Sequence, residues 1–456
     1  MTTRFDPPIQ TLPDGYSSYN KYTAGVFHAY ADSSRPDDSG DGLSWLTAKK
    51  TLAAAVAVLP DVAEDHVVLH LKGSFDISGE TIYIKTAISG TSKRFIIDGG
   101  DDVTIVDGPY TATSTTTTSI TDLARSWTVN AMRGYTVEIL DGAAAGYAYP
   151  VQSNTADTIT VGKTWVVPGL CQFRIVRPAT SIVAGSQSWF YFLGTSLFGW
   201  MAFQRLFING TISFGVGQGA TQISIFGLAG IVSEGASLVL LPVSVNSSFE
   251  YRTIDPDDPS SYLDYSKRRL AFCTRSTSSN VVLGQQSGMF TLRGPSVING
   301  TISATGLAKV SIQSGCFVKK LLVRGVNSVE LGVSDSYGTQ SIIGESADVG
   351  IDAGDSRIVV SKNFVIQNCG SHAIQLDNSV LECQSAVLSG SGNVGAGIYL
   401  KNKASVLIAD GYTPTLTGTV GNYSFDGATD GGTWAEVDGG TPVADLTRFC
   451  NVVEVA

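Results

Sequence analysis

The stretch FVIQNCGSHAIQLDNSVLECQSAVLSGSGNVGAGIYLKNKASVLIA, residues 364–409, contains three short apolar segments that each occur twice, in the same order. The pairs are FVIQN (364–368) with AVLSG (386–390), AIQL (373–376) with GIYL (397–400), and VLEC (380–383) with VLIA (406–409). The offsets between the paired segments are 22, 24 and 26 in sequence numbering. Three strand-like segments per period, separated by turns, predict a parallel β-helix.

In such a fold each strand pairs with the equivalent strand one coil above and one coil below, and the inward side chains stack into a narrow apolar core. A second repeat agrees with this prediction. FINGTIS (207–213) and VINGTIS (297–303) share six of seven positions, and the distance between them is close to four periods. At this period, residues 179–410 hold roughly nine or ten coils.

The composition also favours an all-β protein. Charged residues make up 15% of the 456 residues, and the chain has 50 glycines. A low charge fraction with many Gly, Ser, Thr and Val residues is typical of short strands joined by tight turns. The formal net charge of −10 argues against a nucleic-acid partner, because phosphates require a basic surface.

The sequence predicts a soluble protein without cofactors. The opening MTTRFDPPIQTLPDGY has no apolar segment like that of a secretory leader, and no uninterrupted apolar stretch is long enough for membrane insertion. If the protein acts outside a cell, we expect it to leave by another route, such as lysis. The six cysteines form no CxxC motif and the chain has four histidines, so we expect buried thiols and no metal site.

Changes in sequence texture predict five regions. They are an N-terminal arm (1–30), an acidic turn with a capping helix and the first coils (31–109), an inserted small β module with a Thr-rich linker (110–178), the main β-helix (179–410) and a C-terminal cap (411–456). We expect the capping helix over Ala48–Leu59, with Thr47 as its N-cap and Pro60 ending it.

Three stretches resemble known proteins. ADSSRPDDSGDGLSWLTAKKTL (31–52) resembles the N-terminal segment of right-handed parallel β-helix proteins related to pectate lyases, with Asp41-Gly42, Ser44 and Lys50-Thr51-Leu52 in register. There the segment precedes a helix that plugs the solenoid. The module over 125–178, with its phrase VQSNTADTITV, is similar to a segment inserted in phage virion β-helix proteins. GNYSFDGATDGGTWAEV, near the C-terminus, resembles the endings of phage structural proteins.

The resemblance implies a phage virion protein of the tail spike or tail fibre type, made in the host cytoplasm and released by lysis. It further implies a homotrimer that contacts host surface polysaccharide and that docks to other virion tail proteins through its N-terminal arm. Two alternatives stay open: a tailspike depolymerase that cleaves polysaccharide as a glycoside hydrolase or lyase, and a bacterial β-helix enzyme or adhesin. The handedness of the helix also rests on the resemblance.

The acidic turn has a calcium-site alternative. Asp37, Ser39 and Asp41-Gly42 match the start of an EF-hand loop, but the twelfth position, which requires a bidentate Glu, is Ala48. We therefore expect these side chains to close tight turns by accepting hydrogen bonds from nearby backbone amides.

Glu330 and Asp352 are the candidate catalytic carboxylates. Their separation in the sequence matches one coil, which would bring them about 4.8 Å apart along the axis. Glycoside hydrolysis needs two carboxyl groups roughly 5–9.5 Å apart. Further acidic residues surround them: Asp335, Glu345, Asp348 and Asp355. The alternative is that solvated carboxylates occupy coil turns. His372 is expected to be a surface imidazole or one with satisfied hydrogen bonds, and not a general base.

An aromatic stretch, SWFYFLGTSLFGWMAFQRLFI (188–208), provides a candidate interface or ligand surface. More than a third of this stretch is aromatic, against 9% of the whole chain. Because alternate strand residues point to opposite sides, Phe190 and Phe192 can fill the core while Trp189 and Tyr191 point outward. Trp200 belongs to the same candidate surface. Subunit packing, contact with the inserted module and sugar stacking are the three interpretations.

Overall fold

A computed structural model describes most of the chain. The described residues are 22–23, 25–88, 93–161, 166–192, 197–216, 222–229, 232–234, 238–240, 248–252, 275–277, 281–283, 288–293, 296–333, 340–384, 388–402, 404–408, 415–418 and 421–425. Within them the chain has one α-helix, Leu52–Val58, and its other regular elements are predominantly β-strands. The protein is therefore nearly all β, as the composition predicted.

Twelve parallel strands form one long sheet, called here the first face. They are Phe27–Asp32, Val67–Lys72, Arg94–Asp98, Leu197–Gln204, Gln222–Ala229, Ser248–Arg252, Met289–Leu292, Lys309–Gln313, Ser328–Val333, Arg357–Val360, Val380–Cys383 and Ser405–Ile408. Each strand pairs with the next member of this series, so the chain returns to this face once per coil.

Between these returns the chain forms two further parallel faces. The second face contains Ser74–Asp76, Val232–Glu234, Arg275–Thr277, Ser341–Gly344, Phe364–Gln367, Leu388–Asn393 and Thr415–Gly418. The third face contains Thr81–Ile84, Leu238–Leu240, Val281–Leu283, Ile351–Gly354, Ile374–Asp377, Ala396–Lys401 and Gly421–Phe425. Four longer strands cross both faces: Ser181–Phe192, Phe207–Val216, Val297–Thr305 and Phe317–Arg324. The result is a β-helix-like column.

The register differs slightly from the one inferred from sequence. Phe364 pairs with Leu388, Ile374 with Ile398, and Leu381 with Val406. The observed offsets are thus 24, 24 and 25 positions. The predicted offset was too short for the first pair of segments, correct for the second and too long for the third. All six side chains are almost fully buried. A slip by one position would turn an apolar side chain outward, so burial fixes the register.

The helix begins later than predicted. Thr51, not Thr47, is its N-cap, and Leu52, Ala55 and Val56 pack against the first end of the apolar core. Lys49 is extended instead of helical, because its backbone pairs with the strand at Tyr30 and Asp32. The Asp38 carboxylate accepts hydrogen bonds from the amides of Lys50 and Thr51, which fixes this approach to the helix.

An antiparallel sheet of seven strands interrupts the column between Asp98 and Ser181. In spatial order its strands are Ser114–Thr115, Ser119–Thr121, Thr158–Val161, Ala148–Asn154, Thr136–Ile139, Gln172–Pro178 and Val103–Thr111. A small parallel sheet of Tyr22–Thr23, Val62–Ala63 and Ala87–Ile88 lies elsewhere in the N-terminal region. Parallel pairing of the column starts before residue 31, inside the region predicted to be an N-terminal arm. It continues beyond residue 410, inside the region predicted to be a C-terminal cap.

The inserted sheet packs against the second face. Phe207 of the column joins the apolar core of the insert, and the Arg177 guanidinium lies 3.6 Å from the centre of its ring. Farther along, Arg133 donates to both carboxylate oxygens of Glu345, at 2.9 and 3.1 Å, and lies over the Phe317 ring. These contacts hold the insert along several coils of the second face.

A buried ion pair marks the point where the insert leaves the column. Arg205 Nε donates to Asp98 Oδ1 at 2.8 Å, and Arg205 Nη1 donates to Asp101 at 2.8 Å. The Asp98 and Arg205 side chains are 0% and 2% exposed. Gly99 allows this approach, since a Cβ there would lie 2.0 Å from the Arg205 carbonyl oxygen. Burial opposes ionisation of Asp98, but Arg205 and His70 outweigh it and lower its pKa to about 2.

The four cysteines in the described part of the chain, Cys171, Cys316, Cys369 and Cys383, are buried and form no disulfide. Burial raises the pKa of the Cys383 thiol to about 12. Cys273 and Cys450 lie outside the described residues. Among the described residues, no helix is long and apolar enough to cross a bilayer.

We predict that Asp98→Asn lowers the free energy of unfolding at pH 7 by about 3–5 kcal/mol, because buried Arg205 loses its buried partner charge and keeps only the half-exposed Asp101. The folded-state pKa of Asp98 is depressed, so its contribution is complete above about pH 4 and disappears as the pH falls toward 2. Urea unfolding from pH 5 to pH 2 should therefore show a steeper loss of stability in the wild type than in the variant. Asp76→Asn, at an exposed turn, is the control, and equal slopes would contradict this assignment.

Candidate functional site

The structure does not stack Glu330 on Asp352. Glu330 lies on the first face between Ser311 and Val359, and its carboxylate is 2.7 Å from Lys309 Nζ. Asp352 lies on the third face. The expectation that these two carboxylates lie one coil apart was wrong, because this coil is longer than the predicted period and returns to the Glu330 position only at Val359. The two carboxylates therefore belong to different surfaces.

The neighbouring acidic residues have structural partners. Glu345 binds Arg133 of the insert, Asp348 is 2.7 Å from Lys320 Nζ, and Asp355 accepts a hydrogen bond from the Asn378 amide. Asp335 lies outside the described residues. The acidic group seen in the sequence is thus divided among an insert contact, a surface ion pair and a coil corner.

In the aromatic stretch, Phe190 is fully buried and packs against Phe203 and Phe214 in the core. Trp189 and Tyr191 are half-buried on the opposite side of the strand, the outer side of the third face. The ring of Tyr191 makes an edge contact with that of Tyr83 on the next strand, at 6.0 Å between centroids. Trp200 is in the strand Leu197–Gln204, and its side chain, like that of Phe192, lies outside the described residues.

Asp352 is the centre of a polar network on the third face. Arg324 Nη2 lies 2.9 Å from Asp352 Oδ1, and Arg324 Nη1 donates to the Asp352 carbonyl oxygen at 2.9 Å. Gln375, in register on the next strand, donates to Asp352 Oδ1 at 3.4 Å. The carboxylate side chain is 16% exposed and is held in place from two neighbouring strands.

Two stacked rings lie beside this network. The imidazole of His372 and the phenol ring of Tyr399 are 4.3 Å apart with an angle of 12° between their planes. The Ala396 amide donates to His372 Nδ1 at 2.9 Å, so neutral His372 has its proton on Nε2. Lys401 Nζ is 5.3 Å from the Tyr399 ring centre. Tyr399 is in register with Gln375, so the Tyr399 ring lies one coil from the Gln375 side-chain amide.

We call this surface the third-face cluster. It consists of Arg324, Asp352, His372, Gln375, Tyr399 and Lys401. Sequence reasoning named Asp352 and set His372 aside as a surface imidazole. It missed the other four residues, because the cluster comes from four separate coil segments. The repeat of AIQL and GIYL, which aligns Gln375 with Tyr399, was the available signal. The cluster combines ring surface with planar donors and acceptors, an arrangement that binds polar ligands with apolar faces.

The acidic turn forms the local hydrogen bonds that were expected of it. Asp37 accepts from the Ser39 amide at 2.8 Å, and Asp41 accepts from the Thr47 hydroxyl at 2.5 Å and the Leu43 amide at 2.9 Å. These bonds hold the pKa of Asp41 below its ordinary value. The turn side chains therefore shape the approach to the helix.

Comparisons with known proteins found a similar solved structure. No family model matches the chain, and no curated protein matches its sequence. The chain is similar to the Gp54 tailspike of Acinetobacter baumannii bacteriophage AP22, solved in complex with A. baumannii capsular saccharide. The identity is 9%, the TM-score is 0.20, and the match covers 81% of this chain and 71% of the tailspike.

We predict opposite effects of two charges on the pKa of His372. Burial and the Lys401 ammonium lower this pKa from its ordinary value, whereas the Asp348 carboxylate raises it. Lys401→Met should therefore raise the pKa, and Asp348→Asn should lower it further. NMR titration of the imidazole resonances measures both shifts, and His66 is the reference within the molecule. An unchanged His372 pKa in both variants would show that the cluster is arranged differently.

Proposed function

We propose that this chain is a phage virion protein of the tail spike or tail fibre type and that it binds host surface polysaccharide through the third-face cluster. The observation that carries the proposal is the juxtaposition of the His372–Tyr399 ring pair with the Arg324–Asp352–Gln375 network. A sugar ring has an apolar C–H face, which packs on aromatic rings, and hydroxyl groups, which pair with planar guanidinium, carboxylate and amide groups.

The other two faces differ from the third in what they present. The inserted sheet packs on the second face between Phe207 and Glu345. On the described strands of the first face, charged side chains pair with each other across neighbouring strands, as Lys309 does with Glu330 and Arg357 with Glu382. Rings are also in contact at the first end of this face, where His28, Tyr30, Trp45 and His70 meet. The third-face cluster differs in that its ring pair adjoins the carboxylate, guanidinium and amide of the Asp352 network.

The proposal includes a finer fold assignment. We infer that the three faces form a single right-handed parallel β-helix like that of pectate-lyase-related proteins. The inference is supported by the strand order and by the acidic turn before a capping helix. In the virion, the N-terminal arm would dock to other tail proteins. This part of the proposal rests on the resemblance of residues 31–52 and 125–178.

A polysaccharide depolymerase is the second candidate. Asp352 and Asp377 favour it, because Asp377 pairs with Gly354 and is a diagonal neighbour of Asp352 on the next strand. Diagonal neighbours are about 7–8 Å apart, a spacing that suits two catalytic carboxyl groups. Against catalysis, Arg324 and Gln375 bind the Asp352 carboxylate, and the Asn402 amide binds that of Asp377.

Binding to an array of bacterial capsular and O-antigen polysaccharides tests the proposal. We expect the wild type to bind at least one of them and Tyr399→Ala to weaken binding about fivefold, since ring stacking contributes about 1 kcal/mol. Tyr147→Ala is the matched control, because Tyr147 stacks on Tyr149 in the insert, away from the cluster.

The absence of binding on the array, or equal binding by wild type and Tyr399→Ala, would overturn the proposal. Release of reducing ends from the bound polysaccharide would establish the depolymerase. Loss of that release in Asp352→Asn but not in Glu330→Gln would assign it to the third face.

We also propose a homotrimer. Three apolar side chains of the insert are largely exposed in the single chain: Leu123 at 71%, Val129 at 63% and Leu170 at 75%. Apolar surface of this kind is typical of subunit contacts. Light scattering should give a mass near three times the chain mass of 47.9 kDa, and a monomer mass would contradict the trimer.

A further inference from the structure

A cleft of about 410 Å³ lies between the capping helix and the first strand of the third face, Thr81–Ile84. Its volume is within the range of small-molecule sites, about 300–1,000 Å³. The helix and the segment after it provide an apolar wall of Ala53, Val56, Ala57, Leu59 and Pro60. The strand side provides polar groups from Thr81, Tyr83, Lys85 and Thr86, and Asp61 also lines the cleft.

Aromatic rings adjoin the cleft. Tyr83 is 50% exposed, and its ring contacts that of Tyr191 on the neighbouring strand. Trp189, two positions before Tyr191, is in register with Thr81. Tyr83 therefore lines the cleft, and its ring connects the cleft to an outward aromatic surface. Tyrosine rings with this exposure provide a rigid apolar platform with a polar edge.

This combination suits one class of ligand. A pyranose has one apolar face and a rim of hydroxyl groups, which matches an apolar wall, an aromatic ring and a few polar side chains. The charged groups of the lining are one carboxylate, Asp61, and one ammonium, Lys85, so their formal charges cancel. This lining has no excess of positive charge that would select an anionic sugar. The lining thus favours a neutral sugar.

We propose that this cleft binds one neutral pyranose unit, with the Tyr83 ring against the apolar face of the sugar. The site is distinct from the third-face cluster, because seven strand steps separate Thr81–Ile84 from Ile351–Gly354. At the spacing of neighbouring strands this is roughly 34 Å. The inference shares with the proposed function the class of ligand and nothing else.

Saturation-transfer NMR and calorimetry with methyl α-D-glucopyranoside, methyl β-D-galactopyranoside and N-acetyl-D-glucosamine test this site. The measurement uses full-length Tyr399→Ala protein, in which the third-face cluster lacks its phenol ring. We expect at least one of these sugars to bind, and Tyr83→Ala in the same background to weaken binding at least fivefold. Galacturonate, the anionic comparison, should bind more weakly than the best neutral sugar.

Two controls keep the test decisive. Ala57→Trp fills the cleft from the helix side, leaves Tyr83 in place and should also abolish binding, whereas Tyr147→Ala should not change it. Binding of none of the three neutral sugars, or equal binding with and without the Tyr83 ring, would overturn the inference. Those outcomes leave the polysaccharide-array result intact, so failure of the cleft and failure of the proposed function are distinguishable.

Discussion

The structure depends on the stacking of inward apolar side chains, one coil above another, at the spacing of hydrogen-bonded strands. Ile351, Ile374 and Ile398 form one such stack, and all three are fully buried. Parallel pairing at about 4.8 Å leaves no room to move an inward side chain without moving its neighbours above and below. The period of the sequence, the register of the strands and the position of the corners all follow from this constraint.

The corners satisfy the same constraint with a different chemistry. Asp355, Asn378 and Asn402 follow the third face in successive coils, with φ angles of +49°, +47° and +52°. Asn and Asp tolerate this left-handed conformation better than other residues with a side chain. The Asn378 amide then donates to Asp355 of the coil before it, so the corners are hydrogen-bonded along the column as the strands are.

Because stacking fixes the backbone, outward side chains are free to differ between faces, and function depends on them. The insert leaves the column at the buried Asp98–Arg205 pair and then packs along the second face. The third face is left with two polar surfaces, the cleft under the helix and the cluster around Asp352. A column of this kind can thus hold several ligand-binding surfaces in line without any change in its core.

The sequence by itself determined the strand-rich class, the three-segment period, the helix near the start and the alternation that buries Phe190, because these depend on local propensity and on apolar periodicity. It did not determine the register, since turns of variable length separate the strands, and it therefore misplaced Glu330 relative to Asp352. Tertiary structure decided which outward side chains meet. Arg324, Gln375 and Tyr399 are distant in sequence and become neighbours because the coils stack strand on strand.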